Sequence, residues 1–238
     1  MQAGFHDYRE GDTACEAFVA FDPALSGRRS CVLVAHAWGG QGQVEQDKAR
    51  EMARLGYVGI AIDVYGKGVR GDPFLGNEKL MQPFIDDRAM LRRRLLAALA
   101  FAKSLPMVDS TRIAAMGYCF GGLCVLDLAR SGSDAVKAVV SIHGVFFPPK
   151  LGPQPPIASK VLVLHGWDDP YAPPDHVLGL ARELTDAKAD WQIHAYGHAK
   201  HAFSAKGAAF PEAGIVYDEA ADRRSTQATL QFLREAFQ

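Results

Sequence analysis

Gly117-Tyr118-Cys119-Phe120-Gly121 places a cysteine midway between two glycines, after the apolar run Ile113 to Met116 and before a helix-forming stretch. This is the G-x-C-x-G form of a strand-to-helix elbow. It holds a nucleophile on a tight turn, where bulkier neighbours would clash. Cys119 would then sit at a helix N-terminus, where the helix dipole favours a thiolate. A thiolate alone does not make a hydrolytic site. It needs a base, and the base needs an orienting acid. The bland reading of the same residues is a tight turn around a buried cysteine, so the downstream sequence has to decide.

Two further segments supply the missing groups. The buried run Val161 to Leu164 leads into Gly166-Trp-Asp-Asp169-Pro-Tyr-Ala-Pro173, a G-x-x-D-x-x-x-P loop that presents a carboxylate. Gln192 to Tyr196 leads into Gly197-His-Ala-Lys-His201-Ala-Phe203, which presents a histidine. The order nucleophile, acid, histidine is the one that strand-to-helix elbow enzymes use. Asp168 and His198 are the second choices for acid and base.

The elements that hold these groups follow from the hydrophobic pattern. Short runs rich in Val and Ile (Cys31 to Ala35, Val58 to Ile62, Ile113 to Met116, Ala138 to Ile142, Val161 to Leu164) read as strands buried on both faces. Segments with helical spacing alternate with them: Val44 to Leu55, Phe84 to Ser104, Gly122 to Arg130, Pro174 to Asp186 and Glu219 to Phe237. Alternation of this kind predicts an α/β fold with a mostly parallel, doubly wound sheet. Phe5 to Glu10 and Cys15 to Phe21 flank Gly11-Asp12 and predict an antiparallel hairpin at the N-terminal edge. Gly66 to Gly76 and Val145 to Pro156 are rich in Gly and Pro and should be loops at the carboxyl edge, where open α/β sheets bind ligands.

Together the G-x-C-x-G elbow, the Asp loop and the His-Ala-Phe segment resemble the dienelactone hydrolase family of the α/β-hydrolase superfamily, over nearly the whole chain. The resemblance implies Cys119 as nucleophile, Asp169 as acid and His201 as base. It implies an oxyanion hole from the backbone amides of Phe120 and of Trp38, in Ala35-His-Ala-Trp-Gly-Gly40. It implies hydrolysis of a small ester or lactone through an acyl-thiol intermediate, with no cofactor. Two departures bear on substrate. Ala37 stands where the family carries a glutamate that interacts with the resting thiol, and Ala205, followed by Lys206, stands where it carries an arginine for the substrate carboxylate. A weak preference for anionic lactones is therefore expected, with Lys67, Arg70 and Lys79 as alternative anion contacts. Other uses of the same machinery are acyl transfer or thioester cleavage. A non-catalytic ligand-binding or redox-sensing protein is the competing class, but such a protein needs neither Asp169 nor His201.

His36, Tyr118, His143 and Phe146, near predicted strand ends, are candidate pocket residues, with core packing as the alternative. His194, His198 and His201 are spaced four and three apart, but a strand leading into a loop makes them diverge, so no metal site is expected. Arg92, Arg93 and Arg94 read as a solvated helix face. Cys15, Cys31 and Cys124 read as small buried hydrophobes.

The 238 residues suit one α/β domain, taken as 1–238, and 48% hydrophobic against 22% charged residues suffices for a large core. A net charge of -1, with cations and acids interspersed, argues against nucleic acid. Met1 to Glu10 carries charge where a secretory signal would be apolar, and no stretch reaches membrane-spanning length. These features lead to the expectation of a cytoplasmic enzyme, monomer or homodimer, acting on a small molecule.

Overall fold

The computed structural model describes residues 1–74 and 76–238; Leu75, in the first of the two expected carboxyl-edge loops, lies outside them. The chain opens with β1 (Gln2–Glu10) and β2 (Thr13–Phe21), paired antiparallel around Gly11-Asp12 as the turn dipeptide requires. Then come β3 (Arg29–Ala35), α1 (Gln43–Arg54), β4 (Val58–Ala61), α2 (Glu78–Asp86), α3 (Arg88–Ser104), β5 (Val108–Tyr118) and α4 (Phe120–Arg130). The remainder is β6 (Val136–Ile142), β7 (Lys160–Gly166), α5 (Pro174–Asp186), β8 (Trp191–Tyr196), the short strands β9 (Ala209–Phe210) and β10 (Ile215–Val216), and α6 (Glu219–Ala236).

Eight strands form one sheet in the order β1-β2-β4-β3-β5-β6-β7-β8, parallel from β4 through β8 and antiparallel where β2 joins. Strand side chains alternate between two buried layers, which explains the near-continuous apolar runs. Cys31, Leu33 and Ala35 of β3 face α3, α4 and α5, whereas Val32 and Val34 face α1 and α6. On the first face Arg88 and Arg130 both bond to the buried carboxylate of Asp127, and Arg130 reaches Glu183, so one charge network ties α3, α4 and α5. No helix among the described residues is long and apolar enough to cross a membrane.

Three expectations change. The helix expected over Phe84 to Ser104 is two helices: Asp87 leaves helical geometry and caps the amide of Met90 at 2.8 Å, starting α3 afresh. The strand expected over Ile113 to Met116 extends to Val108–Tyr118, delivering the chain directly to the elbow. Arg94 is not solvated. It is buried against the first hairpin, pairing with Glu10 at 2.9 Å and Thr13 at 2.7 Å, while Arg93 stays exposed.

Candidate active site

The elbow around Cys119 is built by close backbone contact. A Cβ at Gly117 would collide with the carbonyl of Gly121, and one at Gly121 with the carbonyl of Ala35. Only glycine lets α4 start this close to β3 and β5. Cys119, wedged between them, adopts φ 55°, a strained conformation for a residue with a side chain. Its amide donates to Ile142 O at 3.1 Å, and its carbonyl accepts from Gly122 N at 2.9 Å, so the turn is pinned on both sides. Tyr118 faces the α1 and α6 side, and Cys119 is half-buried at the base of a cavity of about 1430 Å³.

His201 enters from the loop after β8. Its amide donates to Gly214 O and its carbonyl accepts from Val216 N, both at 3.0 Å, so β10 splints the backbone. Its Nδ1 donates to Asp169 Oδ2 at 2.7 Å, with both side chains almost fully buried. Asp169 Oδ1 accepts from Tyr171 N at 2.8 Å. The Tyr171 ring packs on the imidazole with centroids 4.8 Å apart. Burial alone would lower the pKa of His201. The electrostatic interaction with Cys119 and the hydrogen bonds to Asp169 and Cys119 outweigh it, and the imidazole is pushed up to about 10. The second-choice residues make a separate pair outside the site: His198 is exposed, and its Nδ1 lies 3.7 Å from Asp168 Oδ2. His194, on β8, is also exposed, so the three histidines diverge.

The loop after β3 is held from several directions. His36 is buried, donating from Nδ1 to Ala37 O at 2.7 Å and accepting at Nε2 from Val64 N at 3.1 Å. Tyr65 donates its hydroxyl to Trp38 O at 2.9 Å. Glu45 fills the space beside Ala37, accepting from the amides of Ala37 at 3.4 Å and Gly42 at 2.9 Å. Among the described residues neither the Trp38 nor the Phe120 amide is taken by a backbone carbonyl. The first amides of a helix have no intrahelical partner, which leaves Phe120 N available.

Of the four candidate pocket residues, Tyr118 and His143 line the cavity, and His36 and Phe146 do not. His36 bridges two loops from within the core, and Phe146 is buried beside His165. His143 packs edge-on to His201 at 5.3 Å and contacts Ser204 Oγ through Nε2 at 2.9 Å. Burial, and then the neighbouring His201, hold it well below the ordinary histidine range, so it stays neutral. Around Cys119 one wall of the cavity is apolar, with Trp38, Phe74, Met81, Ile85, Val145 and Phe147. Lys206 and Arg70 also reach it, but Arg70 is engaged by Val69 O at 2.7 Å. Lys67 and Lys79 lie elsewhere, and Lys67 is paired with Asp7. Tyr171, Glu45 and the Trp38 tether were not legible from motifs. The proximity of Tyr171 to Asp169 in the loop was the available signal.

Comparison with known proteins identifies the family and the fold. The family model described as the dienelactone hydrolase family matches residues 16–237. An uncharacterised protein of Caenorhabditis elegans is 37% identical over 154 residues, covering 64% of this chain and 98% of its own. A Yersinia pestis protein provisionally named a carboxymethylenebutenolidase is 27% identical over 200 residues, covering 79% of this chain and 74% of its own. Among solved structures, a dienelactone hydrolase-like promiscuous phosphotriesterase from metagenomic libraries superimposes with a TM-score of 0.93 and 34% identity. That match covers 100% of this chain and 99% of the other.

Proposed function

The chain belongs to the dienelactone hydrolase family, and from that premise we propose that it hydrolyses small carboxylic esters or lactones through an acyl-thiol intermediate on Cys119. The observation that carries this reading is the buried 2.7 Å contact between His201 and Asp169, set against a cysteine on a strained elbow. Sγ attacks the carbonyl carbon, and the electron pair moves to the carbonyl oxygen. The amides of Phe120 and Trp38 stabilise the resulting oxyanion, a contribution worth roughly two to three orders of magnitude per donor. As the tetrahedral species collapses, the His201 imidazolium gives its Nε2 proton to the departing alkoxide. His201 then takes a proton from water as the hydroxide attacks the thioester, and the acid leaves with Cys119 restored. Asp169 holds the imidazole so that Nε2 points at both sulfur and substrate.

The test is turnover of short p-nitrophenyl esters and of a panel of lactones, with Cys119→Ala as control. Hydrolysis that depends on Cys119 supports the reading. Partition of the acyl-enzyme toward added alcohols or thiols rather than water would move it to acyl transfer. A phosphotriester belongs in the same panel, because the structural relative 34% identical over the full chain is a promiscuous phosphotriesterase.

A further inference from the structure

The cavity continues past Cys119 into a cleft between α1 and α6, and its walls have the wrong chemistry for a packing interface. On α1 one row of lining positions is Val44, Asp47, Lys48, Glu51 and Met52, flanked by Gln43, Glu45 and Arg54; on α6 the row is Asp222, Ser225, Thr226, Thr229 and Leu230. Each set follows the i, i+3, i+4, i+7, i+8 spacing of one helical face. Two such faces turned toward one another over a sheet would ordinarily be apolar and close together. Here six of the ten positions carry a charge or a hydroxyl in addition to Asp47, and open space separates them.

Several polar groups of the cleft are engaged within the protein. Lys48 Nζ lies 2.6 Å from Glu51 and interacts with the Tyr118 hydroxyl, Asp222 accepts from Tyr217 at 3.1 Å, and Ser225 Oγ donates to Asp222 O at 2.9 Å. One hydroxyl is not. Thr229 Oγ1 is buried, lines the cavity and has no hydrogen-bond partner. A buried hydroxyl without a partner is costly, and a change of χ1 rotamer would turn it toward a ligand group that supplies the partner. Tyr118 joins this cleft to the reacting centre, since it directly precedes Cys119 and its ring lies on the cleft wall. At about 1430 Å³ the whole cavity exceeds the roughly 300–1000 Å³ of a typical small-ligand site, so a lone lactone ring would leave much of it empty.

We propose that the α1–α6 cleft is a second subsite that binds a neutral, hydroxyl-bearing part of the substrate, such as a polyol or sugar, while the apolar wall receives the rest. The proposal rests on the reading of Cys119 as the atom an ester must reach, and it gives that reading a substrate class. Neutral rather than anionic follows from the excess of carboxylates on these walls, Glu45, Asp47, Glu51 and Asp222 against Lys48 and Arg54.

The experiment measures binding, so it does not require turnover and fails separately from the hydrolase reading. The Cys119→Ala protein is titrated by calorimetry with the 6-O-butanoyl ester of methyl glucoside, with cyclohexylmethyl butanoate, and with the butanoyl ester of methyl glucuronide. The first two differ mainly in hydroxyl groups, and the third adds a carboxylate. The neutral sugar ester is expected to bind at least about fivefold tighter than the cyclohexyl ester. That ratio should fall toward one when Thr229→Val or Thr226→Val is added. Equal binding of the two neutral esters would overturn the proposal. So would a preference that survives both substitutions, or tighter binding of the glucuronide.

Discussion

Nδ1 of His201 lies 2.7 Å from Oδ2 of Asp169 in a nearly dry site, while one residue upstream Asp168 meets exposed His198 only at 3.7 Å. The two acids are adjacent in sequence, but only one can orient an imidazole. Asp169→Asn should keep the fold and lower kcat by about 10³- to 10⁴-fold, because an amide can stabilise the wrong tautomer. Asp168→Asn should change kcat by less than about twofold, because an exposed pair contributes little. Steady-state kinetics on a p-nitrophenyl ester checks both. The reverse ranking would place the acid at Asp168.

The raised pKa of His201 gives a pH signature. Its ordinary value is 6.5 and its folded value about 10, so the stabilisation it provides is complete below the first and lost as pH rises through the second. The electrostatic interaction with Cys119 is the largest raising influence. Cys119→Ser should therefore bring the His201 midpoint down and flatten the loss of stability between those pH values. Ring-carbon NMR of labelled histidine reads the midpoint, and urea unfolding at several pH values reads the stability. An unchanged midpoint in Cys119→Ser would show that the two side chains do not share charge.

Much of this site was legible because motifs with strong backbone demands leave marks on the sequence. Gly117 and Gly121 announce the elbow, and Gly166 and Pro173 register the acid loop on Asp169 rather than Asp168. Contacts made by ordinary residues across long separations leave no such mark. Tyr171 on His201, Arg94 under the first hairpin and Glu45 beside Ala37 depend on where distant elements meet. The break at Asp87 was missed because helical spacing continues through it and only the local cap interrupts the backbone. His36 and Phe146 were placed at the pocket because they follow apolar strands. The side-chain direction that turns them into the core is fixed by packing.

The elbow also makes a stability prediction. An alanine methyl at Gly121 would press on the carbonyls of Ala35 and His36, which are backbone and cannot move aside cheaply. Gly121→Ala should cost at least about 1–3 kcal/mol. Gly197, in a loop with open space around its Cβ position, should tolerate alanine within about 0.5 kcal/mol. Denaturant melts of the two variants give the comparison, and equal stability would mean that α4 does not pack on β3 as described.

Substrate charge is a further discriminator. Ala205 offers no cation, Lys67 is paired with Asp7, and Arg70 donates to backbone carbonyls, which leaves Lys206 as the remaining cation of this group on the cavity wall. A carboxylated lactone should therefore be favoured over its methyl ester by less than about fivefold in kcat/KM, since a full charged hydrogen bond is worth roughly 1.5–3 kcal/mol. A larger advantage, abolished by Arg70→Ala, would show that Arg70 leaves its carbonyl partners to hold the substrate.

In the proposed reaction an acyl group passes through sulfur at position 119. Rapid acid quench of the protein during turnover of p-nitrophenyl butanoate, followed by peptide mass mapping, tests this step. A butanoyl increment is expected on the peptide containing Cys119 and none on those containing Cys15 or Cys31, which are fully buried. Fragmentation would assign it to Cys119 rather than Cys124. Steady hydrolysis by the Cys119→Ala protein at the wild-type rate, or an acyl increment on any other residue, would contradict it.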